Sequence, residues 1–169
     1  MVKIDKLKAN ELWALYSTVI KRLKELGQIR TSNITGERGE NLALLFYNET
    51  PGLPKLQLAP KGTQNIDAIS RNGERYAIKT VKLPRKATGV FYGIGSPGKE
   101  VNEKKFEHVI IVVLDEYYEL EKIIELSWDK FMKSKLWHSR MSAFIISLSK
   151  QLYKDSKIIY SKELEKPSR

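Results

Sequence analysis

The chain predicts an α/β (α+β) fold with a central mixed β-sheet flanked by helices, and three observations carry that expectation. Residues 10–26, NELWALYSTVIKRLKEL, place Leu12, Tyr16, Val19, Leu23 and Leu26 at steps of four and three, which is one stripe of a helix. Residues 65–82, NIDAISRNGERYAIKTVK, run on both sides of an Arg71-Asn72-Gly73 turn as the two strands of a hairpin do. Residues 107–115, EHVIIVVLD, form a continuous apolar run rich in β-branched side chains, the pattern of a strand buried on both faces at the centre of a sheet. Helices before, between and after strands predict one mixed layer structure.

Each element follows in order. Asn10 is the expected N-cap of the first helix, whose apolar stripe packs on the core or against a second subunit, as in a homodimer; two heptads are too few for an independent coiled coil. RTSNITGERG reads as a loop, and a second helix starts at Thr35 or Gly36 and runs to about Tyr47. NETPGLPKLQLAPKG, with three prolines and two glycines, is a loop with at most a short strand. After the hairpin, LPRKATGVFYGIGSPGKEVNEKK carries four glycines and is expected to be the most mobile region, with a short strand at 89–92. Beyond the buried run come a strand at 118–126, a helix begun at Ser127 (SWDKFMKSKL), and a strand, helix and strand over 142–160. The reading is one domain, 1–169, with the helix at 10–26, a core at 36–115 and an α/β extension at 116–169.

Composition removes several chemistries. The chain has no cysteine, which excludes disulfide frameworks, thiolate zinc sites and cysteine nucleophiles and fits a reducing compartment. No apolar run approaches the roughly 20 residues of a membrane helix, and the start MVKIDKLKANELW is too charged for a signal peptide, so a cytoplasmic protein without a membrane partner is expected. Thirty Lys and Arg against twenty Asp and Glu leave a net charge of +10. Such an excess concentrates polyanions, and nucleic acid is the commonest partner of a basic cytoplasmic domain.

The candidate site lies between the second helix and the hairpin. In GERGENLALLFY, Glu40 shares a stripe with Ala43, Leu44 and Tyr47 and so points toward the sheet, whereas Glu37 in the first turn is accounted for by the helix dipole. On the hairpin Asn65, Asp67 and Ile69 share one face of the first strand, and Arg75, Ala77 and Lys79 one face of the second. A helix acid, a strand acid and a strand lysine are the parts needed to hold a divalent cation beside a phosphate: carboxylates bind the hard metal and an ammonium offsets developing charge. The segment KTVKLPRK adds Lys82, Arg85 and Lys86 as phosphate contacts, with Phe91 and Tyr92 available to stack on bases. GIGSPGKE is not a nucleotide-binding loop, because Lys99 is followed by Glu100 and no buried strand precedes it. Trp137-His138-Ser139-Arg140 reads as a helix end, and two separated histidines, His108 and His138, do not make a metal site.

Glu40 on a helix, Asp67 on a strand and Ala77-Ile78-Lys79-Thr80 on the next resemble the PD-(D/E)xK nuclease superfamily, whose restriction-endonuclease-like fold runs helix, three strands, helix, strand. The resemblance covers roughly residues 36–115. It implies a Mg2+ (or Mn2+) dependent endonuclease acting on double-stranded DNA in restriction or repair. Glu40 and Asp67 would be the metal-binding acids and Lys79 the catalytic cation, with the Ile78 carbonyl completing the metal's protein ligands. One departure stands out: the family's second acid or glutamine, two residues before the lysine, is Ala77 here. Three readings stay open: a weaker one-metal nuclease, an enzyme whose second acid has moved, or a nuclease fold that binds DNA without cleaving it.

Overall fold

The computed structural model describes residues 3–60, 62–99, 101 and 103–163. Two helices, α1 (Ala9–Glu25) and α2 (Ile34–Glu49), precede the strands β1 (Leu56–Leu58), β2 (Ala68–Ser70), β3 (Arg75–Lys82), β4 (His108–Leu114) and β5 (Leu120–Ser127). Then follow α3 (Trp128–Ser134), β6 (Lys135–His138), β7 (Ala143–Ile146), α4 (Lys150–Asp155) and β8 (Lys157–Ser161). The main sheet has the order β1-β2-β3-β4-β5-β8, and β6 and β7 form a separate ribbon. All neighbours in the main sheet are antiparallel except β3 and β4, which run parallel with Tyr76 beside His108 and Lys82 beside Leu114. The expected mixed sheet with helices against it is therefore the fold.

Residues 109–113 are buried on both faces, as the apolar run predicts. On one face Ile110 and Val112 join Tyr76, Ile78 and Ala68 beneath Ala43 and Tyr47 of α2. On the other, Val109, Ile111 and Val113 join Ala77 and Val81 beneath Phe91, Phe106, Phe131 and Phe144. Alternation along β3 thus feeds two apolar layers, one per face.

Four expectations are corrected. The first helix is capped at Lys8, whose N–H donates to Glu11 at 2.8 Å, not at Asn10, and none of its residues is buried; Trp13 is 70% exposed. A 3.6-residue stripe says which side chains share a face, not that anything packs on it. The strand expected at 89–92 is a single bridge, in which the Phe91 N–H donates to the Phe144 carbonyl at 2.7 Å, and Phe91 and Ile94 are fully buried. The helix begun at Ser127 stops at Ser134, and Leu136 lies on β6. Trp137-His138-Ser139-Arg140 is accordingly the end of a strand and a 3-10 turn, with Trp137 edge-on to Phe144. Among the described residues no helix is long and apolar enough to cross a membrane.

The start of the parallel pair is clamped by charge. Arg75 donates from Nε to Glu107 Oε2 at 3.0 Å and from Nη2 to Oε1 at 2.9 Å, while the Arg75 N–H donates to Oε2 at 2.7 Å. Hydrogen bonds from Arg75, working against burial, hold the Glu107 carboxyl down at about 2. A carboxyl depressed in the folded state stabilises fully above its ordinary value of 4.5 and loses that contribution as pH falls through about 2. Glu107→Gln should therefore cost about 1.5–3 kcal/mol near neutral pH, the range for hydrogen bonds to charged groups. In urea unfolding, the gap to wild type should narrow on acidification between those two values; an unchanged gap would show that the pair contributes no pH-dependent stability.

Candidate functional site

The site begins where β2 ends. Its ladder with β3 pairs only Ala68 with Tyr76 and Ile69 with Arg75, and the Asp67 N–H adds one last bond to the Tyr76 carbonyl at 2.9 Å. Past that point the chain of β2 leaves, and the Asp67 side chain takes its place: Oδ2 accepts the Ile78 N–H at 2.7 Å. In a strand the N–H and C=O of one residue point to the same side and alternate residues share a side. The Arg75 carbonyl and Leu83 N–H both bond toward β4, so the backbone groups of Ile78, Thr80 and Lys82 turn the other way. There a cavity of about 670 Å³ lies along the free edge of β3, lined by Glu40, Asp67, Ile78, Lys79, Lys82 and Arg85 among others.

Helix α2 delivers Glu40 to this edge. Asn33 caps the helix by accepting the Gly36 N–H at 3.1 Å, and the buried face of the helix carries Glu37, Gly39, Ala43 and Tyr47. Gly39 seats the helix on β3: a Cβ there would lie 1.8 Å from Thr80 Oγ1. Among the described residues that buried hydroxyl has no hydrogen-bond partner.

Most of the sequence-derived site residues meet at this cavity, with differences in detail. Lys79 Nζ lies 5.2 Å from the centre of the Phe91 ring, and Lys82 Nζ 3.9 Å from that of Tyr118. Lys86 is exposed and does not line the cavity; its carbonyl accepts the Leu148 N–H at 2.7 Å. Phe91 is fully buried and unavailable for stacking on a base, whereas Tyr92 is exposed. Ala77 belongs to the apolar layer with Val109 and Ile111, so the position two residues before Lys79 is taken up by core packing. His108 sits away from the cavity, stacked on Tyr76 between Glu74 and Glu125 at 3.6 and 3.7 Å, and Tyr47 donates to Glu125 at 2.7 Å.

Two residues were not among the expected site groups. Arg30 donates from Nε to Glu37 at 2.8 Å and from Nη2 to Glu40 at 2.7 Å, bridging the two acids. Glu37 is buried, only 4% exposed, and lines a second cavity of about 340 Å³ with Arg30, Glu40 and Asp67. Glu40 and Asp67 thus border both cavities. Burial works to raise the Glu37 carboxyl, but hydrogen bonds from Arg30 and Thr31 outweigh it and hold the group below its ordinary value. Glu40 goes the other way, raised by burial and by the charge of Asp67 against the pull of Arg30. The GERGE spacing carries a signal for Glu37, since residues three apart share a helix face. Arg30 lies in a loop with no periodicity to reveal it.

The available donors are hard. Two carboxylates, Glu40 and Asp67, and the Ile78 carbonyl form an all-oxygen set of the kind that suits Mg2+ or Mn2+. Among the described residues no three His, Cys, Asp or Glu side chains gather at one point. No protein-family model matches the chain, and comparison with curated proteins finds no match.

The seat of α2 yields a direct test. Gly39→Ala forces the helix off Thr80, an overpacking that typically costs about 1–3 kcal/mol. The loss should appear as a lower urea midpoint with an unchanged slope; wild-type stability in Gly39→Ala would mean that the helix does not need this close approach.

Proposed function

We propose that the protein is a divergent PD-(D/E)xK-type endonuclease that hydrolyses DNA phosphodiester bonds with Mg2+ or Mn2+, in a cytoplasmic restriction or repair setting. The observation that carries this is the free edge of β3, where Glu40, Asp67, Ile78 and Lys79 line one cavity with Lys82 and Arg85. The element order supports the reading: a helix, three antiparallel strands, a crossover, and a strand parallel to the third. The crossover departs from the family in having no helix among its described residues. A bound divalent cation supplies Lewis-acid polarisation of a phosphoryl oxygen. Glu40 and Asp67 orient it, the Lys79 ammonium offsets charge on the phosphate, and Lys82 and Arg85 draw in the DNA backbone.

A second reading, a nuclease fold that binds DNA without cleaving it, is favoured by two particular observations. Ala77 stands in the core where the family has an acid, and Arg30 already engages Glu40.

Supercoiled plasmid with Mg2+ or Mn2+ separates the two. Nicking or linearisation that is lost in Asp67→Ala, with DNA binding retained, is the expected result; metal-independent binding without cleavage selects the second reading. Lys82→Ala with Arg85→Ala should lower the salt slope of binding by roughly 2, at about 0.9 per phosphate contact. Lys86→Ala should change it less, since that side chain lies outside the cavity. Affinity indifferent to salt would exclude the polyanion partner altogether.

A further inference from the structure

We propose that Arg30 is a built-in competitor of the divalent cation: its guanidinium occupies the Glu40 carboxylate, and metal binding at Glu40 and Asp67 requires that contact to loosen. The inference rests on the metal-site reading above.

Three observations carry it. The Arg30 Nη2 to Glu40 Oε2 distance of 2.7 Å is that of a charge-assisted hydrogen bond, and it takes one of the two oxygens Glu40 has to offer. Glu40 sits on the boundary between the two cavities, with Arg30 lining the smaller one and Lys79 the larger, so the carboxylate has a cation behind it and room for another in front. Arg30 is itself anchored independently of the site, because Nε is bonded to the buried Glu37 at 2.8 Å. An arginine held by one acid and reaching a second is a fixed positive charge that a freely diffusing cation must displace or share. Removing one partner of such a bond costs an amount that corresponds to about tenfold or more in an equilibrium constant.

The alternative role, in which Arg30 only steadies Glu40 for metal, predicts the opposite sign. If Arg30 orients the carboxylate, its loss weakens metal binding; if it competes, its loss strengthens it.

The measurement is calorimetric titration with Mn2+ alone. A plain Arg30→Gln leaves Glu37 buried and unpaired, so the informative protein is Arg30→Gln with Glu37→Gln, which replaces the buried ion pair by two amides. Its control is Glu37→Gln, which keeps Arg30 on Glu40. The double variant should bind Mn2+ about tenfold more tightly than the control, while Arg30→Lys, too short and too compact to fork between two carboxylates, should fall between. Equal or weaker binding in a double variant that still melts cooperatively overturns the competition. If the double variant does not fold, Arg30→Lys against wild type decides by the same sign. Failure of the underlying reading looks different: Mn2+ binding that is absent throughout, or that Asp67→Asn leaves unchanged, removes the metal site and the competition with it.

Discussion

Every part of the site is referred, directly or through one neighbour, to the parallel ladder in which residues 76–82 lie beside 108–114. One edge of β3 is committed to β4, and the other is covered by β2 for two pairs only. The faces are equally committed, one to α2 and the other to the aromatic layer of Phe91, Phe106 and Phe131. The only direction left to the strand's polar groups is the edge that β2 vacates. A strand held on three sides can keep a fourth side open without sagging, because its register is set by β4 and the Arg75–Glu107 clamp.

The open edge gathers charge of both signs within a small volume. Burial and the neighbouring charge of Asp67 both raise the affinity of Glu40 for a proton. The protein meets this with cations at separate positions: Arg30 on the far side of Glu40, Lys79 and Lys82 along the strand. The two lysines rest over aromatic rings, a geometry that holds an ammonium near apolar surface without tying it to an acid. Among the described residues they make no ion pair with a carboxylate, unlike Arg30.

What was legible in the sequence was whatever follows from a period. The inward stripe of α2, the hairpin with Gly73 in the left-handed region and the doubly buried β4 all come from local spacing, whereas the expectation that Glu40, Asp67 and Lys79 line one place rests on the family resemblance. What was not legible depends on distant partners. The exposure of α1 reflects the absence of a covering element among the described residues, and the burial of Phe91, Ile94 and Phe106 reflects the places they find among other elements. Arg30 belongs to the same class: its meaning lies in the two acids it reaches, seven and ten residues on, across a loop. Glu37 was visible but explained too easily, since a first-turn acid satisfies the helix dipole whether or not it is also buried.

The parallel pairing has a kinetic side. Antiparallel neighbours such as β2 and β3 close through a tight turn, but β3 and β4 meet only after the ends of segment 83–107 have been brought together, a loop whose closure entropy must be met before any contact in the ladder returns free energy. The segment carries its own apolar anchors, Phe91, Ile94 and Phe106, in the layer that covers one face of the sheet. The backbone of Lys79 points toward β4 while that of Ile78 points to Asp67, so adjacent residues of the site depend on different neighbours. The Asp67 contact with Ile78 lies within the local hairpin, whereas Glu40 arrives with α2 and the other edge of the strand is completed by the crossover.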